Sequence, residues 1–82
     1  MKYNFRKYSG AQLINVIFKF LKEHGIQKLP NLSVGKGILL YSDSEGTAIT
    51  CICVEYRYYY FQIRQTEDGI SHLFDSLVFF YL

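Results

Sequence analysis

The sequence predicts an α+β domain, with a small central antiparallel sheet of about three strands flanked by an N-terminal helix and a short C-terminal helix. Three patterns predict it: helical spacing of apolar residues near the N-terminus, strand-like runs over residues 37–64, and helical spacing again near the C-terminus. The chain has 82 residues, of which 50% are hydrophobic. That size and composition suit one small domain over residues 1–82.

The first predicted element is a helix over residues 10–24. One face is apolar and the other polar, as in an amphipathic helix; the apolar residues are Leu13, Ile14, Ile17, Phe18 and Leu21. Ser9 is a good N-cap, and Gln12 stands where a capping box would place it. Gly25 supplies the left-handed conformation that ends many helices.

Strand-like runs follow a loop predicted over residues 26–36. Residues 37–41 are predicted as the first strand and residues 42–46 as a polar turn. Residues 47–54 are rich in β-branched side chains and apolar on both faces, which indicates a central strand.

The third predicted strand, residues 58–64, alternates between two faces. Tyr59, Phe61 and Ile63 share one face and belong in the core. The other face should border solvent or a ligand, and it carries Tyr58, Tyr60, Gln62 and Arg64. Residues 55–57 are a poor turn by composition, so a single long bent strand is the alternative here.

The C-terminal segment fits two patterns after a turn predicted over residues 66–69. Its apolar residues fit a helical stripe, although the final VFFYL has strand propensity. We predict a helix over residues 75–82, and an earlier start is the alternative.

Catalytic and metal-site signatures are missing from the sequence. There is no nucleophile elbow, P-loop, HExxH motif or dinucleotide fingerprint. Cys51 and Cys53 lie two residues apart, where disulfide geometry is hard to reach, and the only histidines are His24 and His72. We therefore predict a protein that is not an enzyme and needs no metal or cofactor.

Targeting signals and charge limit the partner classes. No apolar run reaches the ~18 residues that cross a membrane, and no signal-peptide core follows the basic start. We therefore predict a cytoplasmic protein with no membrane partner; delivery by a route that leaves no such signal is the alternative. Residues 1–40 carry a net charge of +6 and residues 41–82 carry −4. Such a charge asymmetry can mark an anionic partner, but more often the basic residues lie on the solvent-exposed faces of a helix and its loops.

Four short motifs occur in the order and near-constant spacing of a known family. They are GILLYSDSE at residues 37–45, CICV at 51–54, FQIR at 61–64 and FDSL at 74–77. With these motifs the chain resembles an SH2 domain, and it is most similar to the small free-standing SH2 adaptors of immune signalling. The first motif is one residue longer here than in the family. The last corresponds to the start of the family's second helix.

The resemblance implies a protein-interaction module with a degenerate phosphotyrosine pocket. SH2 domains pair phosphate with an arginine on the second strand, and the matching position here is Tyr41 or Ser42. A family arginine in the first helix corresponds to about Gly10, and a family histidine corresponds to Tyr60. Losing a buried charged partner costs ~2–5 kcal/mol of affinity, so weak phosphate recognition is expected.

Seven residues are therefore candidate ligand-binding residues: Tyr41, Ser42, Ser44, Thr47, Tyr58, Tyr60 and Arg64. The hydroxyl groups among them would offer donors, and Arg64 and the tyrosines would line the surface. The alternative is that the tyrosines are ordinary half-buried strand residues. The expected partner is a tyrosine-containing peptide or protein. The oligomeric state is undetermined, although dimerisation would cover an open sheet edge.

Two other function classes fit the composition. A small nucleic-acid-binding protein could use a tyrosine and arginine sheet surface, although residues 41–82 are net acidic, which disfavours phosphate. A small inhibitor or antitoxin-like protein from a mobile element or pathogen is supported only by the enrichment of tyrosine at protein interfaces.

Overall fold

A computed structural model describes residues 4–28, 31–55 and 58–79. In these ranges an α-helix precedes a four-stranded antiparallel sheet, so the α+β class is confirmed, with four strands where about three were expected. The chain divides into a helical unit, Met1–Pro30, and a sheet unit, Asn31–Leu82. That residues 1–82 form a single domain stays a prediction.

The helical unit contains a short 3-10 helix, Phe5–Lys7, followed by helix α1, Gly10–Glu23. The apolar stripe is buried at Leu13, Ile17 and Leu21, as predicted, and also at Phe20, which the stripe did not include. Phe20 meets the ring of Phe5 edge to face, with centroids 5.3 Å apart. Aromatic pairs prefer this geometry because the ring edge is positive and the ring face negative.

Helix α1 ends as the sequence predicts. Gly25 has a φ of 82°, and its N–H donates to the Lys22 carbonyl at 3.1 Å, while the Ile26 N–H donates to the Leu21 carbonyl at 2.9 Å. These two bonds form a Schellman motif. Ser9 occupies the N-cap position as predicted, but its side chain makes no capping hydrogen bond in the described part of the chain.

The sheet contains strands β1 (Gly37–Ser42), β2 (Thr47–Glu55), β3 (Tyr58–Glu67) and β4 (Ile70–Phe79). They lie in the order β1-β2-β3-β4, and each pairs antiparallel with the next. The chain therefore reverses between β2 and β3, and the alternative of one long bent strand is wrong. Residues 26–28 and 31–36 lie outside helices and strands, as the predicted loop requires.

The predicted C-terminal helix is wrong over residues 75–79, which belong to β4; residues 80–82 lie outside the described residues. The turn between β3 and β4 explains the difference. Asp68 and Gly69 have φ values of 53° and 77°, as the central residues of a two-residue type I′ hairpin turn do. Ten consecutive cross-strand pairs then extend from this turn and override the helical spacing.

The two central strands each have a buried face and a more exposed face. The buried face consists of Thr47, Ile49, Cys51 and Cys53 on β2, with Tyr59, Phe61, Ile63 and Gln65 on β3. This confirms the predicted core residues of the third strand. The register pairs Ile49 with Ile63 and Cys51 with Phe61, so apolar side chains lie directly opposite each other.

Candidate functional site

The face opposite the buried one is partly or fully exposed, and we call it the open face. Among the residues whose side chains the structure describes, it consists of Leu39 and Ser42 on β1, Ala48, Thr50, Ile52 and Glu55 on β2, Tyr58, Tyr60, Gln62, Arg64 and Thr66 on β3, and Ser71 and Leu73 on β4. Because opposite residues of an antiparallel pair share a face, the register fixes this membership.

A bulge in β1 decides which of its side chains reach the open face. Leu39 lies opposite Thr50 and Tyr41 lies opposite Ile49, so Leu40 is an extra residue between them. An extra residue inverts the alternation of faces beyond it. Tyr41 therefore lies on the face of Ile49, and Ser42 lies on the open face.

Apolar side chains are exposed at both edges of the open face. Leu39 on β1 is 55% exposed and Leu73 on β4 is 59% exposed. Between them, Ile52 and Tyr60 lie opposite each other and are half-buried, and Tyr58 is exposed. An apolar and aromatic surface of this kind is typical of an interaction site.

One row of residues across the same face contains two polar side chains, Ser42 and Arg64. Ser42 lies opposite Ala48, Ala48 opposite Arg64, and Arg64 opposite Leu73. Since neighbouring strands are about 4.8 Å apart, Ser42 and Arg64 are separated by roughly 10 Å of backbone. Only the methyl group of Ala48 stands between them, so the guanidinium and the hydroxyl group can approach one ligand group.

The β1–β2 loop is held by Asp43. The Tyr41 hydroxyl donates to Asp43 Oδ2 at 2.8 Å, and this bond raises the pKa of Tyr41, with smaller effects from burial and from the charges of Asp43 and Glu45. Asp43 Oδ1 accepts from the backbone N–H groups of Glu45 and Thr47, each at 3.0 Å. The carboxylate therefore organises the turn that the sequence predicted.

The structure brings together only part of the predicted site. Of the seven candidates, the open face carries Ser42, Tyr58, Tyr60 and Arg64. Ser44 is exposed in the loop, whereas Tyr41 and Thr47 lie on the buried face, where Thr47 is 4% exposed. The sequence matches two residues to the family arginine position, Tyr41 and Ser42. Of these, Ser42 shares a face with Tyr60, and Tyr41 does not.

Among the open-face residues outside the predicted site, the large apolar ones are Leu39, Ile52 and Leu73. The bulge concealed Leu39, because regular alternation from Ser42 would place Leu39 on the other face. Leu73 fits the helical stripe predicted for the C-terminal segment, so it was not placed on a strand face. For Ile52 a signal existed, since the second strand is apolar on both faces.

The two cysteines are free and lie on the buried face. Burial raises the pKa of the Cys51 thiol to about 11, with a smaller contribution from neighbouring Cys53. A thiol held neutral in this way is a poor nucleophile and a poor metal ligand. Among the described residues, no group of three or more His, Cys, Asp or Glu side chains is arranged to hold a metal ion.

In the part of the chain that the structure describes, no helix has both the length and the apolar character needed to cross a bilayer. Comparisons with protein-family models, with curated proteins and with solved structures found no match.

Proposed function

We propose that this protein is a non-enzymatic interaction module that binds a tyrosine-containing peptide or partner protein on the open face of its sheet. The observation that carries the proposal is the composition of that face, where Tyr58, Tyr60 and Arg64 lie on one strand and two exposed leucines, Leu39 and Leu73, lie on the edge strands. Aromatic residues and arginine are enriched where proteins bind one another, because they combine apolar area with polar groups.

The resemblance to SH2 domains supports the choice of ligand. The bulge of β1 occurs within residues 37–45, where the chain is one residue longer than the family motif. The β4 strand over residues 74–77 departs from the family, whose second helix begins there. We therefore assign peptide binding to the open face and not to a pocket between two helices.

Phosphate would be recognised on the open face by Arg64 together with Ser42. An arginine pairs with phosphate through charge-assisted hydrogen bonds, and a hydroxyl group can add one donor. The sheet unit, Asn31–Leu82, has three basic and six acidic residues, so a large polyanion would be repelled more than a single phosphate. This balance favours a phosphotyrosine peptide over RNA.

The proposal is tested with a library of short peptides that have tyrosine, phosphotyrosine or phenylalanine at one fixed position. We expect saturable binding of the tyrosine forms and weaker binding of the phenylalanine form. Arg64→Gln should weaken binding of the phosphotyrosine form by about tenfold, the loss of ~1.4 kcal/mol. Lys36→Gln is the matched control, because Lys36 is exposed in the loop before β1 and its loss changes the net charge equally.

A single-stranded RNA of similar length is titrated at two salt concentrations in the same assay. Tight RNA binding that weakens steeply with salt, without peptide binding, would show a nucleic-acid-binding protein and would refute the proposal. Equal losses of phosphotyrosine-peptide affinity in the Arg64 and Lys36 variants would show that Arg64 is not part of the binding site.

A further inference from the structure

The two edges of the described sheet differ in how they could receive another strand. β1 has six residues and is interrupted by the bulge after Leu39. β4 has ten residues, all of which pair with β3 without a shift. Short strands and bulges are devices that keep an edge from pairing with another chain. The β1 edge has both devices, and the β4 edge has neither.

The backbone of β4 directs alternate groups away from β3. In a two-residue hairpin the residues flanking the turn, here Glu67 and Ile70, form a hydrogen-bonded pair, and bonded and non-bonded pairs then alternate along the ladder. Ile70, His72 and every second residue after them therefore bond to β3. The other set directs N–H and C=O groups outward, and it begins with Ser71 and Leu73.

Two apolar side chains in the first half of β4 are exposed, and the strand lacks the residues that commonly block an edge. Ile70 and Leu73 are 60% and 59% exposed. The strand sequence, ISHLFDSLVF, contains one carboxylate, Asp75, and neither lysine nor proline. Lysine and proline are the residues that most often block an edge strand, so the composition of β4 permits pairing with another strand.

We propose that β4 pairs antiparallel with β4 of a second copy of this chain, around a twofold axis perpendicular to the sheet. The copy supplies a strand of the same length and the same alternation, so the outward groups of both strands are satisfied together. The joined sheet has eight strands and ends at both sides on the bulged β1 edge. A single added peptide would leave its own outer edge exposed, which is why a second copy fits better.

This arrangement keeps the open faces of both copies on the same side of the sheet. It also brings the exposed Leu73 of each copy toward the joint, which removes apolar surface from water. The dimer is therefore compatible with peptide binding on the open face but does not depend on it.

Sedimentation equilibrium over a range of protein concentrations tests the dimer. We expect a mass of twice 9.6 kDa at high concentration. Leu73→Lys should raise the dimer dissociation constant by at least about tenfold, because it places charge on the pairing edge. Leu39→Lys is the matched control: Leu39 has similar exposure, 55%, but lies on the β1 edge, and its substitution should leave the dissociation constant unchanged.

A monomer at every concentration, open-ended polymers, or equal effects of the two lysine variants would each overturn the proposal. Hydrogen exchange of the unmodified protein provides a second readout that needs no variant. Exchange of the Ser71 and Leu73 amides should slow as concentration rises, whereas the His72 amide, bonded to β3, should be protected throughout. A dimer in which the exchange of the Ser71 and Leu73 amides does not slow would use another surface, and this result would overturn the pairing through β4. A monomer that binds the peptides would refute the dimer and leave the proposed function standing.

Discussion

At the scale of single residues, Gly46 joins the β1–β2 loop to strand β3. Its φ is 94°, in the left-handed region, and its carbonyl accepts the Thr66 N–H at 3.1 Å. A Cβ atom at this position would lie 2.6 Å from both Cβ and Oγ1 of Thr66. The position therefore requires glycine for its backbone conformation and for its close approach to β3.

Gly46→Ala should destabilise the fold more than Gly35→Ala, which is the matched control. Gly35 has a similar φ, 86°, but nothing lies within 4 Å of the position of its Cβ. The left-handed backbone costs each variant ~1–2 kcal/mol, and the overlap with Thr66 adds ~1–3 kcal/mol at Gly46 alone. Chemical denaturation measures the difference, and equal losses would contradict the close contact.

The Cys51 thiol makes the stability of the fold depend on pH in the alkaline range. Burial raises its pKa from 9.0 to about 11 in the folded protein, so the unfolded chain loses this proton first. The contribution of the neutral thiol is complete below pH 9.0 and is lost as pH rises toward 11. Two pKa units correspond to about 3 kcal/mol at most. In denaturation series, Cys51→Ala should lose stability less steeply over this range; an unchanged slope would contradict the assignment.

At the scale of elements, the Asp68-Gly69 turn determines the path of the C-terminal segment. Asp68 has a φ of 53°, which asparagine and glycine adopt more easily than alanine. Asp68→Asn should therefore retain the stability of the hairpin, whereas Asp68→Ala should lose ~1–2 kcal/mol. Thermal unfolding of both variants measures this, and an alanine variant as stable as the asparagine variant would argue against the type I′ turn.

The same turn shows where prediction from sequence succeeds and fails. The amphipathic period and the glycine stop define α1, the β-branched run that is apolar on both faces defines β2, and period-two alternation defines β3, because local patterns and packing agree in these elements. In β4 they disagree: the apolar spacing fits a helix, but pairing with β3 decides the structure. Asp68-Gly69 is a hairpin signal between two apolar runs, and giving it more weight would have predicted β4.

The candidate site depends on register, which the sequence determines only in part. The alternation of β3 places Tyr58, Tyr60 and Arg64 on one face, as predicted. Which of Tyr41 and Ser42 lies on the open face depends on the β1 bulge, and a bulge has no clear signature in a short apolar run. The face of a strand can therefore be predicted for each regular run, but not across an irregularity.

At the scale of the whole molecule, the open face of the sheet connects the fold to the proposed function. The buried face carries the core of the sheet unit, whereas the opposite face carries aromatic, apolar and charged groups that are partly or fully exposed. Such a surface is typical of a site that binds a partner. Whether the tyrosine peptide lies on this face is the central question.

The most direct test is a titration of the isotopically labelled protein with a peptide selected from the tyrosine library, followed by NMR of the side chains. Open-face groups should shift with a single saturation curve, above all Tyr58, Tyr60 and Arg64, whereas Phe61 and Ile63 on the buried face should change little. A peptide that binds without shifting the open-face groups, or that shifts mainly residues of α1, would contradict the assignment of this face as the binding site.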